Sequence, residues 1–455
     1  MKIPLIQYGW QKAFEWSGRK RLFYFNEIKD NDKKDRKTLE QIQFDNLKKL
    51  LLHAYQNVPY YSDVFNNLKI SPDDIRSTKD LSFLPVLTKE IIRSDLNNFK
   101  PKNIPEANLI LNHSGGSTGK PLSFYADRNL FEKMEASFLR SIEWAGYRPG
   151  DRIAYIWGAP QDLKGGGSFK KEIKSFFNGR YILGAYKYSN ETMEKWVNVL
   201  KRKNIKFIYG YASVLSNFSK YIKSEKLDPP GMKAIITSAE TLFPEARKTI
   251  EEVFNCKVYD QYGSREVISV ASECEKSNMH ILTDYVHVEF MKDDSLHGEK
   301  RAHEGQEPYK IVLTSFANYG TPFIRYDIGD YGIPKEGYCE CGREFPLIER
   351  VLGRINDNFI TPEGKIIYGT YFVRQMYGIK GVQSYQFHQT SKEEINLYIV
   401  KDKDFNPGTE YTLKYLKVKI ANEISPRIRL NIIIKEEIPP NISGKHRYVI
   451  SDVIV

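Results

Sequence analysis

Apolar residues recur along this chain with two different periods, and the alternation between them sets the first expectation. Residues 1–100 carry mainly helical spacing. From Leu39 to Tyr55 the apolar positions include Ile42, Leu47, Leu51 and Ala54, and Pro59 is expected to end that helix. Further on, short β-rich runs alternate with helical ones. Leu109-Ile110-Leu111 and Leu122-Ser123-Phe124-Tyr125 are strand-like, Leu130 to Trp144 reads as a helix ending near Gly146, and Ile153 to Trp157 reads as a buried strand. Helices are predicted around 191–203, 213–224 and 244–254, with Pro244 near the start of the last, and strands at Phe207-Ile208-Tyr209 and Ala234 to Thr237. This alternation predicts an α/β fold with helices on both faces of a sheet, and ligands collecting where strands end in loops. Residues 359–455 alternate short strands and helices and predict a smaller α+β module.

The most informative loop lies between the first two strand-like runs: His113-Ser114-Gly115-Gly116-Ser117-Thr118-Gly119-Lys120-Pro121. Glycines let several backbone N–H groups face one anion, hydroxyls add donors, and a lysine adds a mobile positive charge for the outer phosphates of a nucleotide. A Gly/Ser surface loop is the alternative. It is not the P-loop of ordinary ATPases, which needs four residues between its glycines and Ser or Thr after the lysine. Here three separate Gly115 from Gly119, and Pro121 follows Lys120.

Totals narrow the partners without choosing among them. The chain has 455 residues, enough for two or three domains, and 41% hydrophobic and 27% charged residues describe an ordinary globular protein. A formal charge of +11 favours anionic partners, but no groove-reading motif accompanies it, so nucleic acid is not expected. No apolar run approaches the ~20 residues that span a bilayer, and Met1 to Leu5 lacks the apolar region of a signal peptide; a cytoplasmic protein is expected. Tyr8, Trp10, Phe14 and Trp16 precede Arg19-Lys20-Arg21, a pattern open to packing on the main domain or to a peripheral membrane contact. Nothing in the pattern sets an oligomeric state.

Four cysteines in so long a chain argue against a disulfide scaffold. Cys274, His280, Cys339 and Cys341 could close a tetrahedral zinc site, or be unrelated thiols and a surface histidine. Four protein ligands would leave no open position for water, making such a site structural. Cys256 stands apart and is expected to be buried.

Two more loops carry polar groups. Tyr259-Asp260-Gln261-Tyr262-Gly263-Ser264-Arg265-Glu266 combines an aromatic, a turn glycine and a carboxylate suited to Mg²⁺, though a lone glutamate is as readily an exposed salt-bridge partner. Phe323-Ile324-Arg325-Tyr326-Asp327-Ile328-Gly329-Asp330 reads as a strand end with a turn. Ser238-Ala239-Glu240 reads as a helix-capping turn. Trp157, Tyr209 and Tyr211 could line an aromatic pocket or belong to the core.

Taken together, these loops resemble the adenylate-forming superfamily, and more narrowly the phenylacetate–CoA ligase branch and its capsular-polysaccharide relatives. The 114–121 loop is similar to the branch's phosphate signature, with Ser114 and Gly115 where Thr and Ser usually stand. His53 to Tyr61 and Leu84 to Lys89 resemble recurrent N-terminal stretches, and Gly210-Tyr211-Ala212-Ser213 resembles the Gly-Tyr-Pro-Ser of the capsular relatives. The branch can also carry cysteines in the 274–341 region.

The resemblance implies a large domain over 1–352, a hinge at 353–358 that includes Arg354, and a small mobile domain over 359–455. It implies ATP and Mg²⁺ as cofactors, with Ser114 to Lys120 on the phosphates and Ser238, Ala239 and Glu240 against adenine. Asp260 to Ser264 would bound the nucleotide and acyl pocket, Glu266 would hold Mg²⁺, and Asp330 would hold the ribose. Lys445 would enter the site during adenylation. The expected reaction activates a small-molecule carboxylic acid to an acyl-adenylate, then transfers the acyl group to CoA, a carrier or a sugar. An enzyme that stops at AMP transfer and a non-catalytic scaffold are the alternatives.

Overall fold

The computed structural model describes residues 20–114, 121–148, 151–157, 179–185, 188–292, 308–354, 359–364, 366–367, 369–376, 378–439 and 446–453. The helical opening holds α1 (Arg21–Lys29), α2 (Arg36–Asn57), α3 (Pro59–Leu68) and α4 (Lys89–Ser94). The Asp35 carboxylate caps α2, accepting from Thr38 N at 2.7 Å. Pro59 does not simply end that helix. The break is confined to Val58, and Pro59 is the first residue of α3, where its fixed φ and missing N–H cost nothing.

A two-stranded hairpin, β1 (Leu109–His113) and β2 (Ser123–Asp127), leads into α5 (Arg128–Trp144). The main sheet follows: β3 (Ile153–Trp157), β4 (Arg180–Gly184), α6 (Asn190–Arg202), β5 (Phe207–Tyr211), α7 (Ala212–Ser224), β6 (Ala234–Ser238), α8 (Pro244–Phe254) and β7 (Lys257–Ser264). Then come β8 (Ile268–Glu273), β9 (Met279–Ile281), β10 (Val286–Met291), β11 (Tyr309–Ser315), β12 (Tyr326–Lys335) and β13 (Leu347–Arg354). These build one sheet of eleven strands, ordered β10-β11-β12-β13-β9-β8-β7-β6-β5-β3-β4. Strands β4, β3, β5, β6 and β7 run parallel, and pairing turns antiparallel from β8 onwards.

Helices cover both faces, as the alternation of period predicts. On β3, Ile153 packs into one core with the N-terminal helices and α5, while Ala154 and Ile156 pack into the other with α6, α7 and α8. The remaining elements, β14 (Phe359–Ile360), β15 (Ile366–Ile367), α9 (Gly369–Gln375), β16 (Val382–Ser391), β17 (Glu394–Lys401), α10 (Pro407–Glu423), β18 (Arg429–Lys435) and β19 (Val449–Ser451), form a smaller α+β domain. It has its own core around Phe372, Phe387, Leu397 and Ile420. Its sheet order is β18-β17-β16-β19.

Buried polar groups tie the helical opening to the sheet. Arg140, on α5, has no exposed surface; it pairs with Asp284 and donates to Ile28 O at 3.0 Å. Asn31 donates to the same Asp284 carboxylate. The rest of the guanidinium lies against the rings of Trp144 and Phe345, 5.9 and 5.3 Å from their centroids. Arg21 is buried against Glu132 and Glu135, so this end of the basic cluster packs on the main domain. The aromatic residues Tyr8, Trp10, Phe14 and Trp16 lie outside the described residues. No helix among the described residues is long and apolar enough to cross a membrane. Cys256 is half-buried rather than buried, at the margin of the second core, and its surroundings push the thiol up to about 12.

Arg140→Ala leaves the Asp284 carboxylate buried without its cation. A loss of about 3–5 kcal/mol is expected, read as a lowered apparent melting temperature in calorimetry.

Candidate active site

The parallel strands deliver their carboxyl ends to one edge, where Tyr211, Ser238 and Gln261 stand side by side in register. Ala239, just beyond β6, has φ +70°, a left-handed conformation that costs a non-glycine residue energy and occurs here directly at the converging strand ends. Trp157 and Tyr209 stack at 5.3 Å and 11°, and Tyr211 lies 4.2 Å from Trp157, so the three expected aromatics form one cluster at this edge.

Strand β7 extends through Ser264, so most of the expected loop from Tyr259 is strand, and only its last residues turn. Gly263 permits that turn: a Cβ there would stand 2.4 Å from Ile268 O. The side chains of the segment divide between protein and cleft. Asp260 accepts from the Thr237 hydroxyl at 2.7 Å, and burial pushes its carboxyl up to about 7. Gln261 donates to Ser269 Oγ at 2.9 Å, and Ser264 Oγ accepts from Val267 N at 3.3 Å. Tyr262 instead donates to Asp330 Oδ2 at 2.8 Å.

Glu266 is not an exposed salt-bridge partner. It is 3% exposed, with the Tyr326 hydroxyl 3.5 Å away, and forms no ion pair among the described residues. A carboxylate buried without a cation is costly, which makes this position receptive to one. Asp330 lies within β12 rather than at its end; Gly329 (φ +83°) and a register shift opposite Lys310 and Val312 give the strand its turn-like sequence. Three residues to which sequence gave no role support this wall. Arg325, at φ +49°, is held by Glu289 at 2.9 Å and by Leu84 O. Tyr326 faces Glu266, and Lys89 Nζ donates to Ile328 O at 2.7 Å. Leu87 pairs with β12 through Arg325 O and Asp327 N, both at 2.9 Å, which explains why Leu84 to Lys89 belongs to the site's signature.

The β1–β2 hairpin shares this neighbourhood. Phe124 packs on Phe323 at 5.5 Å, and Phe323 on Tyr326 at 4.8 Å. The loop mouth is closed twice, by Ser114 N to Leu122 O and Leu122 N to Ser114 Oγ, both 2.8 Å. Gly115, Gly116, Ser117, Thr118, Gly119, Lys120 and Lys445 lie outside the described residues, as do 355–358 of the expected hinge. Arg354 is described in its backbone, as the register partner of Asp330. Glu240 meets the small domain, its Oε1 accepting from His446 N at 3.0 Å.

The cysteine set assembles elsewhere. The ligand atoms of Cys274, His280, Cys339 and Cys341 all lie within 4.8 Å of one another, with Cys274 Sγ to Cys339 Sγ 3.6 Å and Cys341 Sγ to His280 Nε2 3.3 Å. Zn–S bonds of about 2.3 Å and Zn–N bonds of about 2.0–2.1 Å in a tetrahedron put donor atoms roughly 3.5–3.8 Å apart, so the set fits zinc. Burial pushes His280 down to about 4, leaving the neutral imidazole that ligates metal. Backbone N–H groups of Lys276, Cys341 and Arg343 and the Asn278 amide donate to the three sulfurs at 3.3–3.5 Å, outer contacts of the kind that orient metal ligands. The cluster packs with Leu39, Trp144 and Phe345, and four protein ligands are in keeping with a structural role.

Residues 359–452 match the family of the CapK C-terminal domain. Protein CapK of Staphylococcus aureus is 24% identical over 94% of this chain and 92% of its own length. The phenylacetate–coenzyme A ligase of Pseudomonas putida is 28% identical over 77% of this chain and 78% of its own. Among solved structures, 2-hydroxyisobutyryl-CoA ligase with an acyl-AMP in its postadenylation state matches with a TM-score of 0.72 at 19% identity. That match covers 93% of this chain and 91% of the other. The chain is thus similar in sequence to CapK and to phenylacetate–CoA ligases, and it shares the fold of the solved CoA ligase. Tyr262 reaches Asp330, Tyr326 lies beside Glu266, and the smaller α+β domain meets the turn after β6 through the Glu240–His446 contact.

Metal analysis of the purified protein should find about one zinc per chain. Cys339→Ser should lose it and lower the apparent melting temperature by on the order of 5 °C or more; unchanged zinc content in that variant would remove Cys339 from the ligand set.

Proposed function

We propose that this chain is an adenylate-forming ligase, which activates a small-molecule carboxylic acid with ATP and passes the acyl group to CoA. The observation that carries this reading is Glu266: a buried carboxylate without a cation partner among the described residues, across one tyrosine from the wall that bears Asp330. Glu266 would hold Mg²⁺, whose charge would offset that of the ATP phosphates. Asp330 would accept from the ribose hydroxyls, with Tyr262 keeping its carboxylate oriented. Ser117, Thr118 and Lys120 would hold the pyrophosphate end.

A carboxylate approaching the α-phosphate meets like charge, so the step needs positive charge placed where negative charge accumulates. Lys445 would supply it, bridging substrate carboxylate and α-phosphate oxygens while pyrophosphate leaves. Residues 353–358 would then act as the pivot between the 1–352 and 359–455 domains, withdrawing Lys445 and admitting the acceptor thiol. CoA as acceptor agrees with the phenylacetate–CoA ligase relatives.

A second acceptor reading has its own support. CapK aligns over 94% of the chain, whereas the Pseudomonas putida ligase aligns over 77%, and the small domain, expected to meet the acceptor, matches the CapK family. A sugar or carrier acceptor in polysaccharide assembly is the corresponding alternative.

ATP–pyrophosphate exchange across aryl, fatty, amino and sugar acids tests the first half-reaction; exchange with none of them would refute it. Lys445→Ala should lose acyl-adenylate formation by about 10² or more yet still consume preformed acyl-adenylate. Asp330→Ala should raise the KM for ATP about tenfold, the loss of a charge-assisted pair of hydrogen bonds, and an unchanged KM would free Asp330 from the ribose.

A further inference from the structure

The two oxygens of the Glu240 carboxylate serve different domains. Oε2 accepts from Ser213 N at 2.8 Å, in the first turn of α7, whose N-cap residue Tyr211 offers no side-chain acceptor. Oε1 accepts from His446 N at 3.0 Å, across the domain boundary. Both ends of this bridge are rigid. Helix α7 is packed into the second core, with Val214, Leu215 and Phe218 buried. In the small domain, His446 Nε2 meets Tyr385 O at 2.9 Å and its ring lies 4.6 Å from that of Tyr448. A second polar contact across the boundary among the described residues, Lys403 Nζ to Ser224 O and Glu225 at 2.6 and 3.1 Å, is solvent-exposed.

We propose that Glu240 is a clasp that fixes the small domain in the orientation in which Lys445 serves adenylation. His446 directly follows Lys445 in the sequence, so restraining the His446 amide restrains the backbone to which the lysine is joined. Helix α7 holds the carboxylate in place whether or not the small domain is docked, because Ser213 N needs an acceptor in either state. The clasp is therefore preformed in the main domain, and docking completes it with one charge-assisted hydrogen bond. Departure of the small domain breaks the bond to His446 and leaves the one to Ser213 in place. Glu240 acts through the backbone beside Lys445 and is a positioning residue.

The inference rests on the adenylation reading above, and one variant separates the two. In Glu240→Gln, one amide oxygen can still cap α7, but the amide nitrogen then presents hydrogens to the His446 N–H. Pyrophosphate exchange should fall about tenfold, as expected for one charge-assisted hydrogen bond lost, and by more than consumption of preformed acyl-adenylate, so that the ratio of the two half-reactions shifts. Amide hydrogen exchange reads the clasp without any chemistry: the 446–448 segment should be protected in the parent protein and lose about tenfold protection in the variant. Equal loss in both half-reactions, or unchanged protection of this segment, would overturn the clasp. If the parent protein exchanges pyrophosphate with no acid, the adenylation reading falls, and the amide measurement still decides whether Glu240 holds the domains together.

Discussion

The turn at Gly263 is the constraint on which the site depends. Strand β7 is the last of the parallel set, and there the sheet reverses into antiparallel pairing with β8. The reversal brings the backbones of Gly263 and Ile268 so close that no side chain fits between them. Because the turn is this tight, Tyr262 and Glu266 leave on the same side, one towards Asp330 and the other towards Tyr326. A wider connection would keep the strands and lose the relation between the two carboxylates.

Much of this architecture was legible from the sequence, for reasons that can be named. The parallel half announces itself because each helix buries a stripe long enough to show its period: α5 and α8 fall at Arg128–Trp144 and Pro244–Phe254, close to where spacing alone places them. The antiparallel half is harder, since a bulged strand borrows the vocabulary of turns. Ile328-Gly329-Asp330 looks like a strand end, yet it lies inside β12, where glycine relieves a register shift. Pro59 misleads in the opposite way, since a residue that stops one helix is also well suited to open another.

Site residues were legible as motifs but not as roles. Burial of Glu266 follows from the packing of Tyr326, more than fifty residues away, and nothing local signals it. The double duty of Glu240 likewise depends on a helix before it in the chain and a domain far after it. Cys274 and Cys341 were within reach of spacing arguments because chemistry limits what three sulfurs and an imidazole can do together. That cluster packs with Leu39 of α2, Trp144 of α5 and Leu347 of β13, so the helical opening meets the antiparallel strands there as well as through the Arg140–Asp284 pair.

Asp330 and Arg354 face each other across β12 and β13, and β13 is the strand that leaves for the small domain. A ribose held by Asp330, as proposed, would load a neighbouring rung of the same ladder, on the strand that leads to the small domain. The proposed pivot and the nucleotide would then share a single mounting.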